Sequence, residues 1–209
     1  GVTFANHGAA HISLAKMLAD ESESEWRQRI TADIEKGSRR LKQELPESDQ
    51  LLQNVFAYPY GEYNTGSAEQ LTKLGYIAFG QQSGAVGRHS DQRALPRYPV
   101  AESFAAMDEF RTKAASLPLP VLKVEPWDPV TTVPLPEISL TLGETDARLG
   151  ELACFVTGQG SVDVRWVEPD KQFIVGPRQA FTKGRHRVNC TAPLNDGRYL
   201  WFSHQWITW

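Results

Sequence analysis

Cysteine is scarce, basic residues are not in excess and long apolar runs are missing, and each shortage removes a class of protein. Only Cys154 and Cys190 occur among 209 residues. Neither has a CxxC neighbour, which excludes a zinc knuckle or a redox pair of that kind, and one disulfide is the most they can form. No apolar run reaches the length of about 18 residues that a membrane-spanning helix requires. Lys and Arg number 22 against 25 Asp and Glu, a net charge of −3. The chain therefore lacks the basic footprint of a phosphate-tracking surface, and nucleic acid is not an expected partner. No basic, apolar and small-residue leader opens the chain. Its first residues, Gly1 to His7, read like the inside of a domain, as expected of a fragment or a trimmed mature chain. There is no solenoid-type repeat and no low-complexity tract.

What is present is the material of a folded protein. Hydrophobic residues make up 41% and charged residues 22%, enough for a real core in one large domain or two small ones. Residues 20–45 are rich in Glu, Arg and Lys and place Trp26, Ile30, Ile34 and Leu41 at near-helical spacing, which predicts an amphipathic helix ended by Pro46. Val55 to Tyr58 reads as a strand delivering the turn Pro59-Tyr60-Gly61. Ser67 to Leu74 reads as a helix stopped by Gly75, and Tyr76 to Phe79 as the next strand, an α/β rhythm. The Gly- and Ser-rich stretch to Gly87 and the prolines of Leu95-Pro96-Arg97-Tyr98-Pro99 read as loop or edge, and a helix is expected from about Ser103 to Ser116. Six prolines between Leu117 and Pro136 mark a linker or a wrapping segment.

Beyond it the pattern alternates over Glu137–Leu142, Leu152–Thr157, Val162–Val167, Gln172–Val175, Arg185–Thr191 and Tyr199–Thr208, separated by turn signals such as Asn195-Asp196-Gly197. An all-β sandwich is expected there. Five of the six tryptophans, from Trp127 onward, fall within 118–209. Their faces could stack on sugar rings, or Trp166, Trp201 and Trp206 could simply fill the core.

Two elements carry chemistry. His7-Gly8-Ala9-Ala10-His11 spaces two imidazoles four residues apart. On a helical turn they would share a face and could converge on one ion, or they could be capping or surface histidines. The Glu of an HExxH protease is absent. About fifty residues later, Tyr58-Pro59-Tyr60-Gly61 ends a strand, where a glycine turn can aim a backbone N–H and an aromatic ring into a pocket. Together with Leu74-Gly75-Tyr76-Ile77-Ala78-Phe79-Gly80 and Leu95-Pro96-Arg97-Tyr98-Pro99, these motifs resemble the polysaccharide deacetylase family, the NodB homology domain of carbohydrate esterase family 4, over roughly residues 1–116.

The resemblance implies a partial distorted (β/α) barrel over 1–117 and, after it, the β-sandwich over 118–209. It implies a divalent metal, commonly zinc, held by His7 and His11, with the Tyr60 N–H in the oxyanion hole and Pro59 and Tyr60 beside the substrate, an acetylated glycan. The family's Asp-Asp motif, which supplies the base and a third ligand, has no counterpart in these residues. It is expected N-terminal to Gly1, so the chain as it stands is expected to be inactive. Ala57 stands where the family often has Arg, with Arg97 as a possible substitute, and Gly8 stands where it has Ser or Thr. The catalytic-acid histidine has no clear match among His89, a loop residue, His186, read as an exposed strand residue, and His204, a strand residue of the β module. The family's glycans place it in the periplasm or outside the cell. There Cys154 and Cys190 would form a disulfide closing about 36 residues, the alternative being two buried thiols. Two further readings stand beside the deacetylase: a carbohydrate-binding or adhesion module on a deacetylase-like scaffold, and a metal-dependent hydrolase of another amide.

Overall fold

The computed structural model describes residues 2–45, 51–101 and 105–209. They form two compact units, Gly1–Gln81 with Asp91–Leu95, and Gln82–Ser90 with Pro96–Trp209. In the first unit, β1 (Phe4–Asn6), β2 (Leu51–Ala57) and β3 (Ile77–Phe79) make a parallel sheet in that order. Parallel neighbours need crossovers, and these contain α1 (Glu23–Glu44) and α2 (Thr65–Lys73). Ser22 and Glu25 form a capping box that satisfies the first N–H groups of α1. The helix then buries Trp26, Ile30, Asp33, Ile34 and Gly37, a stripe of helical period with an acid and a glycine in it. A closed barrel is not shown: among the described residues this sheet has three strands. Pro46, expected to end α1, and Ser103, expected to open the next helix, lie outside the described residues.

The second unit holds α3 (Met107–Ala115) and two sheets. One has the order β5 (Val121–Glu125), β6 (Ile138–Leu142), β10 (Gln172–Val175), β9 (Arg165–Glu168), all antiparallel. The other runs β4 (Leu117–Pro118), β12 (Tyr199–Thr208), β11 (Gly184–Pro193), β7 (Ala153–Val156), β8 (Gly160–Val162), with β4 parallel to β12. Leu140 and Phe173 of the first sheet and Cys154, Val188, Cys190 and Trp206 of the second share one apolar core, compatible with the sandwich expected there.

Two readings change. The proline-rich segment contributes the edge strands β4 and β5, and of its prolines only Pro118, in β4, lies within a strand, at an edge where a missing N–H costs no ladder bond. Val162–Val167 is not one strand; the chain leaves the five-stranded sheet after Val162 and enters the other at Arg165. The pattern switch at 117/118 and the division of the compact units near residue 81 are different partitions of the chain, the latter placing α3 in the second unit.

Candidate functional site

His7 follows β1, and the 3-10 turn Pro59–Gly61 follows β2 by one residue. Both segments leave the carboxyl ends of adjacent parallel strands, the edge at which open α/β sheets bind ligands. The 7–11 segment is not helical, so the helical geometry assumed for the histidine pair is wrong, yet the rings meet. Gly8 at φ 77° and His11 at φ 53° turn the chain back through the left-handed region, and the His7 and His11 ring centroids lie 4.8 Å apart, edge to face. His11 also stands edge-on to Tyr60 at 4.4 Å. Tyr60 is itself left-handed, at φ 59° and ψ 1°. Non-glycine residues held in that region cluster at ligand sites.

The tautomer of His7 follows from its partner. Its Nδ1 lies 2.7 Å from the Ala57 carbonyl oxygen, which can only accept, so Nδ1 carries the proton and Nε2 keeps the lone pair in the neutral ring. Metal-ligating histidines are oriented in this way, with the other ring N–H given to a carbonyl or carboxylate. The main chain at Ala57 thus orients His7.

Sequence reasoning missed the residues that hold the loop. The buried Asn6 accepts the Gly8 N–H at 2.9 Å and donates to Ile34 O at 2.8 Å. Asp33 on α1 accepts the Ala9 N–H at 3.2 Å and the Ala10 N–H at 2.8 Å. The one signal was an acid on the apolar stripe of α1. Among the described residues no group of three His, Cys, Asp or Glu side chains is placed to hold a metal. Two imidazoles with one tautomer fixed fit part of the donor set of a zinc-type ion.

The other candidates divide between the two units. Arg97 belongs to the second unit, where its side chain is exposed and its N–H donates to Gln82 O at 3.0 Å. Pro59 is buried in the first unit. Cys154 and Cys190 face each other across β7 and β11, with their sulfurs bonded at 2.05 Å. His89 accepts from Arg88 Nε at 2.8 Å. His186 is half-buried rather than exposed, because its ring stacks on Phe181 at 3.9 Å. His204 is buried on β12, its Nε2 without a hydrogen-bond partner among the described residues, and burial pushes the imidazole down to about 4, against a smaller opposing pull from Asp128. Trp206 fills the core and Trp166 packs against it, while Trp201 meets Tyr98 at 5.4 Å.

The two-histidine cluster stands at the carboxyl edge of the parallel sheet of the first unit. Residues 1–79 match the family model for polysaccharide deacetylase, which supports a deacetylase-type hydrolase at the level of the family. No match exists among curated proteins. Two solved structures are similar over part of the chain. One is CopC from Methylosinus trichosporium OB3b, at 12% identity and TM-score 0.32, covering 42% of this chain and 90% of that one. The other is PcoC, a methionine-rich copper resistance protein from Escherichia coli, at 17% identity and TM-score 0.31, covering 44% and 99%. Neither similarity is close enough to carry a fold or a function.

Proposed function

We propose that this chain carries part of the active site of a metal-dependent deacetylase that removes acetyl groups from an N-acetylated polysaccharide or oligosaccharide. One observation carries the reading: His7, His11 and Tyr60, from the two loops that resemble the family's motifs, form a single cluster inside the stretch that matches the family model. His7 through Nε2, and His11, would hold the divalent ion, zinc by the chemistry of the donors. When bound, such an ion polarises the acetyl carbonyl and makes water nucleophilic near neutral pH. This chain's own residues do the rest of what it supplies. Ala57 O keeps the His7 ring in the ligating tautomer, the Tyr60 ring borders the substrate with the buried Pro59 behind it in the turn, and the Tyr60 N–H stabilises negative charge developing on the carbonyl oxygen. The base and a further ligand are carboxylates with no counterpart among the described residues. The Cys154–Cys190 bond supports an oxidising compartment, the periplasm or the exterior.

The test is acetate release from an N-acetylglucosamine oligosaccharide by the intact protein. His7→Ala and His11→Ala are each expected to bring it to background with the fold retained. Release that survives both substitutions overturns the reading. A second reading, a carbohydrate-binding module, is favoured by the exposed Tyr199 and Trp209 of the second unit; glycan binding by the wild-type protein with no acetate released would support it instead.

A further inference from the structure

We infer that the Asp33 carboxylate is the positioning residue for the histidine pair, replacing from helix α1 the hydroxyl that this loop lacks at Gly8. The inference rests on the reading of His7 and His11 as metal ligands, and it adds a residue that neither loop motif contains.

The 7–11 loop must bring two rings together without the hydrogen bonds of a helix. Its N–H groups take side-chain acceptors from outside the 7–11 segment instead. Asp33 accepts two of them, from Ala9 and Ala10, with both of its oxygens. Charge-assisted bonds of this kind are about twice as strong as neutral ones. Asp33 is 9% exposed and sits one turn from the buried Ile30 and Gly37, so the rigid helix fixes where its carboxylate stands. Gly8 is the complement of this arrangement. A Cβ there would lie 2.4 Å from Asp33 Oδ2, and the residue's φ of 77° disfavours any side chain. A Ser or Thr at position 8 and this carboxylate cannot both occupy the space. Gly37 makes the same allowance on the helix side, since a Cβ would meet Asn6 Oδ1 at 2.5 Å. The glycine in the motif and the acid on the helix are thus two halves of one device that sets the angle between the imidazoles.

The experiment compares Asp33→Asn and Asp33→Ala with wild type in the intact protein, using one readout that needs no metal and one that does. The first is NMR: the cross-peak between His7 and His11 ring protons, and the exchange rates of the Ala9 and Ala10 amides. Asn can accept one N–H but presents an amide N–H to the other, so a graded result is expected, with partial loss in Asp33→Asn and full loss in Asp33→Ala, while the circular dichroism of the fold is unchanged. The second is Zn²⁺ affinity by chelator competition, expected to fall by roughly 10- to 100-fold in Asp33→Ala and less in Asp33→Asn. Wild-type cross-peaks and amide protection in both variants overturn the inference, as does unchanged Zn²⁺ affinity. If the wild-type protein binds no Zn²⁺, the metal-site reading fails, and the metal-free NMR readout still decides whether Asp33 sets the ring geometry.

Discussion

The imidazole of His204 lies in the second unit on β12, 5% exposed, with the ring of Trp206 at 5.8 Å. Desolvation favours the neutral ring and lowers the pKa from 6.5 to about 4. Because the folded value is depressed, the unfolded chain binds the proton first as the pH falls. The contribution to stability is whole above pH 6.5 and is lost between about 6.5 and about 4. That shift corresponds to about 3 kcal/mol. Urea unfolding of the intact protein across this window should show a loss of that order, and His204→Leu should flatten it. An equal pH slope in His204→Leu would contradict the assignment. At this scale the histidine pair was legible, because two identical ligand types four apart stand out even when the conformation joining them is misjudged. Asp33 was not, since one acid among the many of a charged helix is visible as special only after the buried face is known.

Strands β7 and β11 place Cys154 opposite Cys190, and the bond closes a sequence separation of 36. In the chain-entropy account a loop of that size is worth roughly 3–4 kcal/mol, while the pairing of β11 with β12 along ten residues is independent of it. Replacing both cysteines by alanine should therefore keep the fold and lower the melting temperature by on the order of 10 °C, and reductant should do the same to the wild type. An unchanged melting temperature after both thiols have been alkylated would refute the contribution. Elements with a strong period, such as α1 and β12, were readable close to their ends. Three others were hidden: β1 is three residues long, too short for any period, and β4 and β5 stand among prolines that ordinarily signal a break. The edge position of β4 tolerates Pro118, and edge position is a property of the sheet rather than of the segment.

Across the molecule, the two compact units differ in what the sequence revealed. The α/β character of the first and the β character of the second follow from the switch between helical and alternating patterns. The compact units part near residue 81, in Gly- and Ser-rich chain with no change of period, whereas the pattern changes at 117/118. The functional account rests on the first unit, where two loops leave adjacent parallel strands and meet in His7, His11 and Tyr60. The proposed function requires that His7 and His11 bind one divalent ion. X-ray absorption at the zinc edge on the intact protein loaded with one equivalent of Zn²⁺ tests this directly. The account predicts imidazole nitrogens at about 2.0–2.1 Å that disappear in the His7→Ala, His11→Ala double variant. The same zinc spectrum in wild type and double variant would contradict it.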